Sequence, residues 1–461
     1  MGTGPSGSEV VSDDSRLQAI VVHPYIKFSR SKKSASESDA HKSAREPDLA
    51  LEEAVRLAEA INLNVVHSRT LGLSEKRPST LIGKGMIEQL FQQQEDLGKN
   101  LTILIVNHDL TPVQQRNLEK QTGMKVLDRT ALILEIFGER AQTRAGQLQV
   151  ELAAQQYQRS RLVRSWTHLE RQRGGAGFMG GPGESQLEID RRLISERITH
   201  LKKDLKKVSK TRDVNRLARQ RNQYPVVALV GYTNAGKSTL FNTLTGAKIL
   251  AKDMLFATLD PTMRVINLPD KGSAILADTV GFITDLPTSL IEAFKSTLEE
   301  TTAADLILHV RDIAHPETEE QKADVEKILQ QLKIDPNSDK HTVLEVWNKV
   351  DLLPDHDKDY FNNAAEIRDN AVCTSATEKE GTEQLLQTIH DLLNKGRARY
   401  TLEVPHKNGQ IVSWVHDHGK VETQVSEDHN IVMTALLTEK DAKQLEKHFK
   451  SQEFTLKRAI N

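Results

Sequence analysis

Hydrophobic and polar positions in the first part of the chain follow two different periods. Three short apolar runs have the composition of buried strands, and two segments between them repeat apolar residues at helical spacing. The apolar runs are residues 19–22, 63–66 and 101–106, and the helical segments are residues 51–60 and 86–94. This alternation predicts a small α/β domain with a largely parallel sheet over residues 17–143. Residues 1–16 are polar and rich in Gly and Ser, so we expect them to be disordered.

The next stretch has the pattern of two long helices, at residues 148–170 and 188–209. Apolar residues in the second helix are spaced 4, 3, 4 and 3 apart, which is a heptad seam. The seam residues are Ile194, Ile198, Leu201, Leu205 and Val208. A glycine-rich segment, 174–183, lies between the helices. We therefore expect an antiparallel helical hairpin with a glycine-rich, flexible tip over residues 144–222.

This hairpin is basic although the whole chain has a net charge of −2. Residues 159–222 include 17 basic and 7 acidic residues, an excess of ten positive charges. Such a run also fits an ordinary solvated helix face. Its position beside the tip favours contact with RNA, because glycines permit close backbone approach and basic side chains neutralise phosphates. The expected contact residues are Arg173, Gly174, Gly175, Phe178, Met179, Gly180, Gly181, Gly183, Arg191 and Arg192.

A phosphate-binding loop is predicted after the apolar run 226–230 and before a helical segment. Its glycines let the backbone wrap around phosphates, and the helix N-terminus supplies N–H donors. Lys237 is expected to reach the β- and γ-phosphates, and the Ser238 hydroxyl to bind Mg²⁺. The segment expected to bind nucleotide is Gly231, Tyr232, Thr233, Asn234, Ala235, Gly236, Lys237, Ser238 and Thr239.

Three further motifs follow in the order typical of guanine-nucleotide-binding domains. They are Asp278, Thr279, Val280 and Gly281; then Asn348, Lys349, Val350 and Asp351; then Ser375, Ala376 and Thr377. Asp278 is expected to hold Mg²⁺ through water, and Gly281 to donate its N–H to the γ-phosphate. A buried Asp351 carboxylate would accept two hydrogen bonds from guanine and reject adenine. The four motifs together predict a GTP-binding domain over residues 223–395.

The hydrolytic machinery looks incomplete. Many GTPases have a Gln after the Asp-x-x-Gly motif to orient water, and here Phe282 holds that place. Asn234 could coordinate K⁺ beside the phosphates, or it could serve only the loop's geometry. Thr258 and Thr262 are alternative Mg²⁺ ligands in the first switch, whose expected nucleotide contacts are Phe256, Ala257, Thr258, Leu259 and Asp260. We expect Lys237, Asn234, Thr258 and Gly281 to take part in hydrolysis, which should be slow without a partner.

The remaining sequence predicts a small C-terminal domain, and the cysteine content and hydropathy indicate the cellular compartment. Strand patterns at 400–404, 419–425 and 430–437, with a helical pattern at 440–447, predict a small α+β domain over residues 399–461. A single cysteine, Cys373, excludes an internal disulfide and favours a reducing compartment. No apolar run reaches the roughly 20 residues that span a bilayer. We expect a cytoplasmic, monomeric protein without a membrane span.

On the basis of these motifs, the chain resembles the HflX family of ribosome-associated GTPases over nearly its whole length. The segments that carry the resemblance are 126–130, 132–134, 136–137, 147–152, 180–184, 190–192, 231–239, 256–260, 278–282 and 348–351. Residues 164–171 look like the proteobacterial branch. The chain departs from the family pattern at Ala145, Gln155 and Gln156, which puts the packing beside the hairpin in question.

The resemblance implies a P-loop GTPase that binds the large (50S) ribosomal subunit and its rRNA, and that splits or rescues stalled or idle 70S ribosomes under stress. It also implies that Thr258 and Ser238 are the protein ligands of Mg²⁺, that Asn234 is a K⁺ ligand, and that the hairpin lies against ribosomal RNA. An alternative function is a GTP-switched, RNA-binding ribosome-assembly factor without splitting activity. A third possibility, a coiled-coil interaction protein, fits the basic excess poorly.

Overall fold

The computed structural model describes most of the residues of the chain. They are 17–27, 46–97, 101–170, 186–221, 224–247, 256, 262–270, 272–284, 290, 301–334, 342–368, 370–427, 429–450 and 452–459. The predictions for residues 1–16, for the hairpin tip (174–183 with Arg173) and for the switch residues 257–260 lie outside the described residues.

The N-terminal region is an α/β unit around a four-stranded parallel sheet, as the alternating pattern predicts. Its elements are β1 (Gln18–Ile26), α1 (Pro47–Glu59), β2 (Asn64–Leu73), α2 (Lys84–Leu97), β3 (Leu101–Val106), α3 (Pro112–Thr122), β4 (Lys125–Asp128) and α4 (Arg129–Arg140). The strand order is β2-β1-β3-β4. Asn107 directly follows β3, and Asp128 and Arg129 lie where β4 ends, so these polar residues come together at the carboxyl edge of the sheet.

Two long helices, α5 (Arg144–Glu170) and α6 (Gln186–Arg221), form the predicted hairpin. Helix α5 begins four residues earlier than predicted, where the Thr143 hydroxyl accepts the Gly146 N–H at 3.0 Å. Helix α6 continues past the predicted end because no Gly or Pro interrupts residues 210–221. The heptad seam closes within the chain: Ile198 and Leu201 are buried against α5, with Ile194, Leu205 and Val208 partly buried beside them.

A six-stranded sheet forms the nucleotide-binding region. Its elements are β5 (Val226–Gly231), α7 (Lys237–Thr245), β6 (Thr262–Asn267), β7 (Ser273–Asp278), β8 (Leu306–Asp312), α8 (Thr318–Gln331), β9 (Thr342–Asn348), α9 (Asp355–Ile367), β10 (Ala371–Thr374) and α10 (Thr382–Asn394). The strand order is β10-β9-β8-β5-β7-β6, parallel except for the antiparallel edge strand β6. The first strand, β5, lies between β7 and β8, so the loop that follows β5 opens near the centre of the sheet's carboxyl edge.

The C-terminal domain is an antiparallel sheet of order β12-β13-β11-β14 with two helices. Its elements are β11 (Arg397–Pro405), α11 (Gly409–His418), β12 (Lys420–Ser426), β13 (Asn430–Thr438), α12 (Glu439–His448) and β14 (Thr455–Arg458). The sequence pattern predicted β11, β12, β13 and α12, and it missed α11 and β14. Helix α11 is short and buries only Ile411 and Val415, so its periodicity is too brief to recognise.

Replacing Leu201 with Ala should destabilise the hairpin by about 3 kcal/mol, because Leu201 is 1% exposed and its loss leaves a cavity in the seam. Leu193, also on α6, is 54% exposed, so Leu193→Ala should change stability by less than about 0.5 kcal/mol. Hydrogen exchange of α6 amides measures both. Equal loss of protection in the two variants would contradict the closed seam.

Candidate nucleotide-binding and active site

The loop between β5 and α7 has the backbone geometry that phosphate binding requires. Gly231 and Gly236 both adopt positive φ, at 154° and 89°. A Cβ added to Gly231 would lie 2.2 Å from the Val310 carbonyl oxygen, and one added to Gly236 would lie 2.2 Å from Asn348 Nδ2. Both positions therefore need glycine, because the backbone is left-handed and its neighbours leave no space for a side chain.

Asn234 lies in the same loop with a left-handed backbone, at φ 61°. Asn tolerates this conformation better than most residues. The observation fits the interpretation in which Asn234 serves the geometry of the loop. A role in binding K⁺ stays a prediction.

Lys237 is the first residue of α7 and is buried at 7% exposure. Its Nζ donates to the Tyr232 carbonyl oxygen at 2.7 Å, which holds the ammonium group over the loop. Burial lowers the pKa of Lys237 to about 8, while the nearby Asp278 carboxylate acts in the opposite direction. Lys237 is therefore still mostly charged at neutral pH and can pair with an anionic phosphate.

Ser238 and Asp278 provide a pair of oxygen ligands beside the loop. The Ser238 hydroxyl donates to Asp278 Oδ2 at 2.8 Å, and the Asp278 side chain is fully buried at the end of β7. The next residue, Thr279, is anchored by its own hydroxyl, which donates to the Leu229 carbonyl oxygen. A hydroxyl and a carboxylate at this spacing suit Mg²⁺, which prefers hard oxygen ligands and retains several waters.

Gly281 and Phe282 lie directly against the phosphate-binding loop. The Thr233 N–H donates to the Phe282 carbonyl oxygen at 2.7 Å, and the Phe282 N–H donates to the Gly231 carbonyl oxygen at 3.1 Å. A Cβ added to Gly281 would lie 3.1 Å from Lys237 Nζ. The Phe282 ring is buried in the hydrophobic core at 2% exposure. Its side chain therefore fixes the segment and does not face the phosphate site.

Asn348 connects the two loops expected to hold the nucleotide. Its Nδ2 donates to the Ala235 carbonyl oxygen at 2.9 Å, and its Oδ1 accepts the Ala376 N–H at 3.1 Å. The neighbouring Lys349 has φ 69° and donates to Asp312 Oδ2 at 2.8 Å. This arrangement ties the base-binding side to the phosphate-binding side.

Asp351 corrects one assumption made from the sequence. We expected a buried carboxylate, and the structure places Asp351 exposed, because the 3₁₀ turn Val350–Leu352 directs it to solvent while Val350 is buried. In the third base-side motif Ser375 and Ala376 are buried and Thr377 is exposed. An exposed Asp351 is accessible to a base, and a bound base would cover it.

The first switch is described only in part. The Phe256 ring is buried and meets the Phe137 ring of α4 edge-on at 4.8 Å between centroids. Any contact between Phe256 and a nucleotide must therefore come from its backbone. Thr262 begins β6 and pairs with Asp278 across the strands.

Sequence reasoning missed Asp312, which holds Lys349 and ends β8. A signal was present, since polar residues at the carboxyl ends of parallel strands collect at one edge of the sheet. It also missed Arg129 and its two partners Glu53 and Thr284, because these contacts join residues far apart in the sequence and leave no local pattern.

Models of known protein families match most of the chain. Family models match in order: the GTP-binding GTPase N-terminal region at residues 48–138, the GTP-binding GTPase middle region at 140–219, the 50S ribosome-binding GTPase at 226–349 and the HflX C-terminal domain at 361–457. The GTPase HflX of Magnetococcus marinus is 48% identical over 388 residues, which is 84% of this chain and 88% of that protein.

The chain belongs to the HflX family of GTPases. The resemblance seen in the sequence is thereby confirmed, as are the P-loop GTPase fold and the activity, hydrolysis of GTP to GDP and phosphate. GTPase HflX of Escherichia coli K12 is 43% identical over 76% of this chain and 82% of that protein. A GTP-binding protein of Sulfolobus solfataricus, solved with GDP, is 22% identical with a TM-score of 0.41, covering 82% of this chain and 99% of that one. Among the described helices of this HflX protein, none is both long and apolar enough to cross a membrane.

Replacing Asp351 with Ala should weaken GTP binding by about 100-fold, because two charge-assisted hydrogen bonds to guanine are lost. Binding of ATP, which cannot make these bonds, should not change. Competition with a fluorescent guanine nucleotide measures both affinities. Asp355→Ala, which removes another acidic residue from the first turn of α9, is the matched control. Parallel losses for GTP and ATP would contradict the assigned role.

The affinity for GTP should also depend on pH through Lys237. Its pKa of about 8 in the free protein is expected to rise when anionic phosphates bind, so binding takes up a proton above that pH. Affinity should be level below about pH 7 and fall by up to about tenfold per pH unit above pH 8. Calorimetric titrations with a non-hydrolysable GTP analogue measure this slope. An affinity that stays flat through pH 8 would show that Lys237 does not titrate there.

Proposed function

We propose that this HflX GTPase binds the large ribosomal subunit through its helical hairpin and splits or rescues stalled or idle 70S ribosomes under stress. The observation that carries the proposal is the exposed basic face of α6, joined to a GTPase unit. The match of residues 226–349 to the 50S ribosome-binding GTPase family supports the choice of partner.

The hairpin has a surface suited to RNA. The apolar seam of α6 is turned toward α5, where Leu148 and Leu152 cover Ile198 and Leu201. Outside the seam, α6 exposes basic side chains, two of which pair with acidic residues of the same helix (Arg192 with Glu196 and Lys207 with Asp204). The exposed basic residues are Arg191, Arg192, Lys202, Lys203, Lys206 and Lys207. Since the seam is used within the chain, it does not call for a coiled-coil partner, and the basic face is the surface that remains for phosphate contacts.

The geometry of the described site supports the nucleotide roles proposed next, and the role of Thr258 rests on the family resemblance. We assign Lys237 and the Gly281 N–H to the γ-phosphate, and Asp351 with the 375–377 loop to guanine. Ser238 and Thr258 would bind Mg²⁺ directly, and Asp278 would bind it through water. Mg²⁺ would neutralise phosphate charge during transfer to water. The proposed units are the N-terminal α/β domain (17–143), the helical hairpin (144–222), the GTPase domain (223–395) and the C-terminal domain (399–461).

The binding cycle would depend on which nucleotide is present. GTP would draw Thr258 onto the γ-phosphate, beside the Gly281 N–H, and favour the state in which the hairpin binds RNA. Hydrolysis would remove those contacts and allow release. Splitting additionally requires that binding to the separated subunit be stronger than binding to the joined ribosome.

A partner and a monovalent cation would complete the hydrolytic site. Phe282 cannot orient water, so we assign that contribution to the bound ribosomal subunit. Asn234 would hold K⁺ beside the phosphates and supply the positive charge that an arginine provides in other GTPases.

GTP hydrolysis measured with and without purified large ribosomal subunits tests the proposal. We expect slow turnover alone and a rise of at least about 100-fold with subunits in potassium buffer, because the partner completes the site. The rise should be much smaller when sodium replaces potassium. No response to subunits, with GTP still bound, would contradict the ribosomal role and favour an assembly factor acting on another RNA.

Reversing charges on the hairpin tests whether the basic side chains of α6 bind the large ribosomal subunit. Lys202→Glu combined with Lys206→Glu should weaken subunit binding at least about tenfold and reduce its salt dependence, because phosphate contacts are lost. Lys327→Glu with Lys333→Glu reverses the same number of exposed charges elsewhere and should leave subunit binding unchanged.

A further inference from the structure

Arg129 connects the N-terminal sheet to the GTPase region. It begins α4 and is 9% exposed. Its guanidinium donates to Asn107 Oδ1 at 2.7 Å, to Glu53 Oε1 at 2.6 Å and to the Thr284 carbonyl oxygen at 2.9 Å. The first two acceptors belong to the N-terminal region, Asn107 directly after β3 and Glu53 in α1. The third lies 155 positions along the chain, three residues after Gly281.

Glu53 carries the same connection to the phosphate-binding loop. Its second carboxylate oxygen accepts a hydrogen bond from the Tyr232 hydroxyl. That hydroxyl in turn accepts the Thr284 N–H at 3.0 Å. Thr284 also donates its side-chain hydroxyl to Asp324 Oδ2 at 2.6 Å. The N-terminal region thus holds both the amide and the carbonyl of Thr284, one through Tyr232 and the other through Arg129.

The segment held in this way borders the γ-phosphate site. At its start, Phe282 is fixed by backbone hydrogen bonds to Gly231 and Thr233. At its end, Thr284 is fixed by Arg129 and Tyr232. Gly281 lies against Lys237, and within the described part of the chain its N–H donates to no other residue. The N–H that would meet a γ-phosphate is therefore kept available on a segment that cannot readily move away.

We propose that Arg129 and Glu53, both in the N-terminal region, are positioning residues for GTP hydrolysis that hold Gly281 at the γ-phosphate. A donor held in place before the substrate binds needs no ordering when charge develops on the phosphate. Arg129 and Glu53 neutralise each other, so this support adds no net charge beside an anionic nucleotide. The proposal rests on the GTPase activity of the family and on the contact proposed above between the Gly281 N–H and the γ-phosphate, and it is independent of any ribosomal role.

The test compares GDP with a non-hydrolysable GTP analogue on the full-length protein without ribosomes. Gly281 would contact only the γ-phosphate, so Arg129→Met should weaken binding of the analogue about tenfold and leave GDP binding within about twofold. The turnover number should fall by about tenfold or more. Arg129→Lys keeps a positive charge beside Glu53 but lacks the planar fork that reaches Thr284, so it should show the same loss of GTP preference.

Tyr232→Phe removes a single hydroxyl and should lower the preference for the analogue over GDP by about threefold. The matched control is Arg140→Met. Arg140 lies on the same helix and donates to the Ala60 carbonyl oxygen at 3.1 Å, within the N-terminal region. This variant should leave the ratio of the two affinities unchanged even if the protein becomes less stable.

Parallel losses of GDP and analogue binding in Arg129→Met would overturn the proposal, because they would indicate a purely structural role. A gain in analogue affinity would also overturn it, since the contacts would then hold Gly281 away from the γ-phosphate. The same ratio change in Arg140→Met would overturn it as well. Because ribosomes are absent, none of these outcomes depends on whether the hairpin binds RNA.

Discussion

The buried contact between Arg129 and Glu53 is the interaction on which the relation of the N-terminal region to the GTPase site depends. Their side chains are only 10% and 11% exposed, so both charges are largely removed from water. Such a pair is tolerated when further hydrogen bonds satisfy it, and here Asn107, Tyr232 and Thr284 supply them. Losing one partner would leave an uncompensated charge between two structural units.

The residue before Arg129 extends this contact to the hairpin. Asp128 caps α4 by accepting the Ala131 N–H at 2.8 Å, and it also accepts the Tyr157 hydroxyl of α5 at 2.7 Å. Arg161, one turn further along α5, pairs with the same carboxylate. Burial raises the pKa of Tyr157, so its hydroxyl remains a neutral donor. Asp128 thus contacts the base of the hairpin, and the next residue, Arg129, contacts Thr284.

The sequence predicted what short-range patterns determine. The phosphate-binding loop follows from a strand, a glycine-rich turn and a helix within a few residues, and the seam around Leu201 follows from heptad spacing. The contacts of Arg129 with Thr284 and of Glu53 with Tyr232 could not be predicted, because they join residues 155 and 179 positions apart. The prediction that Asp351 is buried was wrong. A bound base would cover its carboxylate, but the 3₁₀ turn Val350–Leu352 by itself leaves it exposed to solvent.

In the proposed cycle, the state of the nucleotide governs whether the hairpin binds the ribosome. The most direct measurement is the affinity of the full-length protein for purified large subunits, with either a non-hydrolysable GTP analogue or GDP, at fixed salt. We predict that the analogue strengthens binding by at least about tenfold, the range of an allosteric coupling of 1–3 kcal/mol. Equal affinity with the two nucleotides would contradict this dependence, because contacts with the γ-phosphate would then have no influence on the hairpin.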